Sequence, residues 1–266
     1  MPGNARAPMR DTSEEAMSRS LIAATVLAAV MMAPLAYAAG AQPPSASAAI
    51  LSDPSRPTAD LARDAARKPA EMLAFAGVKT GDTVIELVPG GGYFTRILSK
   101  AVGPGGHVYA AAPDPKSSDA EPAAAKIAAE PGYGNVTVIS ITAAGLMAAP
   151  TADVIWTAQN YHDMHLSRLH VDVPGFDKLL FSKLKKGGVF MIIDHAALAG
   201  SPVTETADKL HRIDPAFVRA EVTGAGFVFD GENGVLRNPD DPHTALVFDA
   251  SIRGKTDQFV FRFRKP

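Results

Sequence analysis

The run from Thr83 to Leu98, TVIELVPGGGYFTRIL, is the stretch that most narrows what this chain can fold into. TVIEL reads as a strand buried on both faces. Three consecutive glycines then break the extended pattern, and YFTRIL resumes it with the period of an amphipathic helix. A strand that ends in an acid, turns on glycines and restarts as a helix is the first half of a βαβ unit. In an open α/β sheet such a turn lies at the carboxyl edge of the strands. There glycine lets the backbone approach a ligand, and the N–H groups of the helix face it. Glu86 at the strand end suits a ligand carrying positive charge or donor groups better than it suits a pyrophosphate.

The rest of the chain repeats the alternation. A helix or helix pair broken at Lys68-Pro69 is predicted over 58–75, and a helix over 93–102 follows the glycines. Strands are predicted at 107–112, 136–141, 152–156 and 189–194, with helices at about 119–130, 176–184 and 214–223. Residues 226–230 and 258–264 alternate like half-buried antiparallel strands. The fold class is therefore α/β, a doubly wound and mostly parallel seven-stranded sheet with an antiparallel C-terminal strand pair.

Residues 21–38 form an apolar segment after Arg19 that ends in Ala36-Tyr37-Ala38, a small-x-small cleavage pattern, and read as an export signal peptide over 1–38. Asp11, Glu14 and Glu15 do not suit the basic start of such a signal, whereas a start at Met17 does. Pro34 and the small-residue tail argue for cleavage rather than stable membrane insertion. The expected location is periplasmic or secreted. Residues 39–55, rich in Ala, Ser and Pro without periodicity, read as a flexible linker, and the folded domain as 56–266. A formal net charge of −2 with only short basic runs offers no nucleic-acid surface.

Glu86-Leu-Val-Pro-Gly-Gly-Gly92, the five-strand alternation, Leu184-Lys-Lys-Gly-Gly-Val189 and the C-terminal strand pair together resemble the class I S-adenosylmethionine-dependent methyltransferases, with their Rossmann-like fold. More narrowly, residues 56–266 resemble a group of exported bacterial methyltransferases in the segments Asn160-Tyr-His-Asp163, Ile193-Asp-His195, Leu210-His-Arg-Ile-Asp214 and Arg253-Gly-Lys-Thr-Asp257. The resemblance implies a methyltransferase acting on a small-molecule acceptor, with S-adenosylmethionine as cofactor. It implies a cofactor site at Glu86, Val88, Gly90, Gly91, Gly92, Tyr93, Ala112 and Asn160. Val88 stands where the family has its first glycine. Ala112 stands where its ribose-binding acid ends the second strand, with Asp114 two residues late. A nicotinamide fingerprint fits less well, because Thr95 occupies its last glycine position.

The loop Thr157–His165 holds an amide, a phenol, two imidazoles and a carboxylate at the same sheet edge, and Asp194-His195 ends the fifth strand there. His162 and His195 are the candidate general bases, with Asp163 or Asp194 orienting an imidazole. A metal shell drawn from His162, His165, His195, His211 or Asp194 is a second reading. Its spacing matches no recognised metal signature, so no metal ligand is assigned. A non-catalytic or metal-dependent periplasmic protein reusing the fold is the alternative to a methyltransferase. Trp156 and Tyr161 read as core, and Arg253–Asp257 as a loop pinned to the domain by Arg253 and Asp257.

Overall fold

The computed structural model describes residues 44–113 and 122–266. The proposed export signal and Asp114 lie outside the described residues. Seven strands, β1 (Thr83–Leu87), β2 (His107–Ala112), β3 (Val136–Ser140), β4 (Ala152–Ala158), β5 (Leu184–His195), β6 (Val228–Glu232) and β7 (Gln258–Arg264), form one sheet. Their order is β3-β2-β1-β4-β5-β7-β6. The ladders among β1 to β5 are parallel and those of β7 antiparallel, which is the methyltransferase fold.

Burial on both faces explains why the central strands are near-continuous apolar runs. On one face, Val84, Trp156, Met191 and Val260 pack under α4 (Pro69–Ala76), α5 (Tyr93–Val102) and α6 (Ala123–Ala129), which contribute Met72, Ile97 and Ile127. On the other, Ile85, Ile155, Phe190 and Phe261 pack under α7 (Ala143–Ala148), α8 (Val173–Lys183) and α10 (Pro215–Gly224), through Leu146, Leu180 and Val218. Trp156 and Tyr161 are fully buried core residues, as read from the sequence.

The elements differ from the sequence reading at four places. The expected linker 39–55 contains a helix, α1 (Pro44–Leu51), whose Ile50 and Leu51 pack against the first core; the low periodicity of its Ala- and Ser-rich run had concealed it. Strand β5 starts at Leu184 rather than 189. Leu184 pairs with Ala152 and Val189 with Val154, so residues 185–188 bulge out of the ladder. Helices α7 and α9 (Val203–Leu210) were not anticipated. The chain also has two short helical segments, α2 (Thr58–Leu61) and α3 (Asp64–Arg67), ahead of α4. Lys68 between α3 and α4 is left-handed at φ 48°, the break expected before Pro69.

Two buried carboxylates hold the C-terminal region together. Arg212, fully buried, makes a two-pronged pair with Asp241 at 2.8 and 3.1 Å and donates to the Ala196 carbonyl. Asp257 accepts from Arg237, the Asn238 amide and His243 at 2.7 to 3.0 Å. Of the two residues expected to pin the 253–257 loop, Asp257 does so and Arg253 is exposed.

Candidate functional site

The sheet reverses its winding between β1 and β4, and loops diverging from that point leave a crevice at the carboxyl edge. The turn after β1 forms its floor. Val88, Gly90 and Gly92 adopt φ of 49°, 54° and 80°, so the left-handed residues alternate along the turn. Glycine enters this region freely, but for a β-branched residue it is an outlier. Val88 is held in this conformation by its N–H to the Ala111 carbonyl at 2.9 Å and by Asn160 Nδ2 donating to its carbonyl at 3.1 Å.

The consecutive glycines differ in what they meet. A Cβ on Gly90 or Gly91 would touch nothing within 4 Å, whereas one on Gly92 would lie 2.0 Å from Ile127 Cδ1. Gly90 and Gly91 open the floor to a ligand, while Gly92 seats α5 against α6. Behind the floor, Glu86 is buried and accepts from Thr95 Oγ1 at 2.6 Å. Burial pushes its carboxyl up to about 7, against the opposing pull of Thr95 and Arg67.

Helices α2 and α3 supply a cationic wall. Arg67 donates to Gln159 Oε1, and its guanidinium lies 4.7 Å from the centre of the Tyr93 ring, with Arg63 at 5.2 Å. Burial, and then Arg63, bring Arg67 down to about 10, so it stays charged at neutral pH. Tyr93 is fixed from beneath: its hydroxyl donates to Asp64 at 2.6 Å, and Asp64 in turn receives both arms of Arg56.

The opposite wall is histidine. Asp194, fully buried at the end of β5, accepts from His162 Nδ1, the His162 amide and the His195 amide, each at 2.7 Å. Burial acts to raise Asp194, but the charge and hydrogen bonds of His162 prevail and hold its carboxyl below the ordinary range. Burial disfavours the charged His162 ring, yet Asp194 and Asp163 together lift it to about 10. Its Nε2 meets His211 Nδ1 at 3.2 Å and Asp163 Oδ1 at 3.3 Å, and the latter two atoms are 3.5 Å apart. His195 shares a hydrogen bond with Thr256 at 2.7 Å, and burial draws it down to about 4 despite Asp194.

The two candidate bases stand in opposite electrostatic settings, since the carboxylates beside His162 favour its charged form and burial favours the neutral form of His195. A general base works best with a pKa near the working pH. Asp194 does orient an imidazole as expected, whereas Asp163 faces the far side of the same ring.

Glu86, Val88, Gly90, Gly91, Tyr93, Asn160, His162, Asp163 and His195 all line one cleft of about 390 Å³. Gly92 and Ala112 do not line it. Gly92 is turned to Ile127, and Ala112 is buried in the β2–β3 ladder. Asn160 uses its Nδ2 on the Val88 and Ala158 carbonyls, latching the β4 loop to the glycine turn. His165, last of the four-residue 3₁₀ turn His162–His165, lies outside the cleft lining and meets Glu221 at 3.0 Å. Beside it, the Tyr161 hydroxyl lies 2.8 Å from both Asp177 and Glu221, and burial raises Asp177 to about 7. One hydroxyl hydrogen serves only one carboxylate, so a protonated Asp177 donating to the phenol satisfies the set.

Sequence reasoning missed Arg63, Arg67, Gln159, Arg168 and Phe248, which also line the cleft. The arginines belong to no motif. Their only signal was three of them, Arg56, Arg63 and Arg67, closely spaced just before the first strand.

No family model and no curated protein matches the sequence. Among solved structures, the chain is similar to a SAM-dependent methyltransferase from Aquifex aeolicus at 21% identity and TM-score 0.54, over 77% of this chain and 98% of that one. A putative sarcosine dimethylglycine methyltransferase from Galdieria sulphuraria matches at 18% identity and TM-score 0.53, over 78% and 87%. CrArsM, an arsenic (III) S-adenosylmethionine methyltransferase from Chlamydomonas reinhardtii, matches at 19% and 0.50, over 84% and 74%. At such identities the likeness establishes the fold, that of the class I S-adenosylmethionine-dependent methyltransferases.

Proposed function

We propose that this protein binds S-adenosylmethionine in the cleft over Glu86–Gly91 and transfers its methyl group to a small-molecule acceptor. The observation that carries the reading is the open floor at Gly90 and Gly91, set between a buried carboxylate and a cationic wall. An amino-acid end of a ligand has one ammonium and one carboxylate; Glu86 matches the first, and Arg67 with Arg63 the second. The described residues offer the ribose no carboxylate at Ala112, so affinity must come from the floor and the arginines.

When bound, the cofactor supplies a methyl group on a sulfonium, which is already activated. The chain's own work is then alignment and exclusion of water. Phe248 and Val247 line the cleft beside His211, an apolar element suited to seating an acceptor. The carboxylates around His162 favour positive charge on this wall, which suits acceptors that carry negative charge before transfer. His195, neutral near pH 7, can hold an acceptor by hydrogen bonding rather than by removing its proton.

Calorimetric titration of the purified protein with S-adenosylmethionine and with its demethylated product tests this. One site is expected, weakened by Glu86→Ala and by Gly91→Val. Absence of heat at about 1 mM ligand, where even a 4 kcal/mol interaction half-saturates, would end the proposal. The reading further includes export of the chain, with Ala39 as the mature N-terminus, which mass spectrometry of protein recovered from the periplasm checks. Among the described residues no helix is long and apolar enough to cross a membrane.

A further inference from the structure

The wall formed by His162, Asp163 and His211 has a property that methyl transfer does not call for. His162 Nε2, Asp163 Oδ1 and His211 Nδ1 form a nearly equilateral triangle with sides of 3.2, 3.3 and 3.5 Å. Three such atoms at this spacing repel one another unless a proton or a metal ion lies among them. A metal bound at about 2.0–2.1 Å by tetrahedrally arranged ligands sets those ligands about 3.3–3.4 Å apart, whereas neighbouring octahedral ligands at such bond lengths lie about 2.9–3.0 Å apart. The observed triangle has the tetrahedral size.

The surroundings are those of a metal site too. Asp194 accepts from His162 Nδ1 at 2.7 Å, so a metal ion that displaces the proton of Nε2 meets a lone pair directed into the triangle. A carboxylate fixing the tautomer of a ligating histidine in this way is the usual support of such a ligand. His211 reaches the triangle from a left-handed backbone at φ 53°, just past the end of α9, and its ring packs 5.0 Å from that of Phe248. All three residues line the cleft, so a fourth coordination position opens into it.

We propose that His162 Nε2, Asp163 Oδ1 and His211 Nδ1 bind one zinc-class divalent ion, with its fourth position open to water or to an oxygen or sulfur donor of a bound molecule. Two imidazoles and a carboxylate with one open position form the ligand set of a catalytic rather than a structural zinc. The site does not depend on the cofactor reading, and each can fail without the other.

The test uses untagged protein stripped with chelator, then titrated with Zn²⁺ by calorimetry and with Co²⁺ by visible absorption. One equivalent should bind with Kd in the micromolar range or tighter, and Co²⁺ should give the intense bands of tetrahedral coordination. His211→Asn keeps a residue that tolerates the left-handed backbone while removing the ring, and Asp163→Asn preserves shape. Each should abolish the cobalt spectrum, and Asp194→Asn should weaken zinc by about 10- to 100-fold. His107→Ala, at the start of β2 and outside the cleft, should change neither. Failure of the parent protein to bind zinc at micromolar concentration would overturn the proposal, as would undiminished binding in both His211→Asn and Asp163→Asn; a proton would then be the cation that holds the three groups together.

Discussion

Glu86→Gln should remove a pH-dependent liability from the core of this protein. Glu86 is buried beneath the glycine turn, its one near hydrogen-bond donor being Thr95 Oγ1 at 2.6 Å, and burial carries its pKa from an ordinary 4.5 to about 7. The sign follows from the direction. A carboxyl whose folded pKa is raised binds more protons folded than unfolded between the two values, so stability falls as pH rises through that window and levels off above it. At about 1.4 kcal/mol per pH unit the displacement amounts to on the order of 3 kcal/mol. Glutamine keeps an oxygen for Thr95 and carries no charge. The stability of Glu86→Gln minus that of the parent should therefore rise from about pH 5 to about pH 8 by roughly that amount, seen as a urea-midpoint displacement of about 1 M. Taking the difference matters, because Asp177 is raised in the same direction and contributes its own fall to both proteins. Stability curves that run parallel between the two pH values would refute the reasoning. So would a variant that is the less stable one at about pH 8.

Four further substitutions probe the scaffold. Val88→Gly relieves a left-handed valine at φ 49°; relief of about 1–2 kcal/mol against a glycine entropy cost of about 0.5–1 kcal/mol predicts a slightly higher urea midpoint, and a clear loss would contradict the strain. Gly92→Ala places a Cβ 2.0 Å from Ile127 Cδ1 at φ 80° and should cost about 1–3 kcal/mol, whereas Gly91→Ala, facing open space, should stay within about 0.5 kcal/mol in the same melt. Arg212→Met leaves Asp241 buried without its cation and should cost about 3–5 kcal/mol by urea unfolding; a change under about 1 kcal/mol would mean that the pair merely fills space.

The strand, turn and helix from Thr83 to Val102 could be read to the residue, because burial on both faces leaves a strand no polar positions and glycine marks where it stops. Strand β2 was equally plain. Where two periodicities compete, the reading failed. The bulge at 185–188 resembles a turn, yet the strand continues through it. Helix α1 has too few large apolar residues to announce itself, and Ile50 and Leu51 at its end supply the anchoring. In the site, spacing suggested His162 and His165 as a pair, and a regular 3₁₀ turn would align residues three apart, yet His162 meets Asp194 and His165 meets Glu221. The partner of His162 is instead His211, brought from 49 residues away by the end of α9. Such pairings depend on where helices stop in space, which a local pattern does not encode.

The turn that separates these two histidines also divides the loop into parts that answer to different pressures. Tyr161 and His165 moor it to Asp177 and Glu221 on helices α8 and α10, while His162 and Asp163 face the cleft. The moorings lie on the cleft's far side. Exchanging Asp163 for another polar residue thus rewrites what the cleft recognises without casting the loop adrift, whereas loss of Tyr161 would unmoor every cleft-facing group on it at once. One short segment in this way keeps its chemistry adjustable and its position fixed.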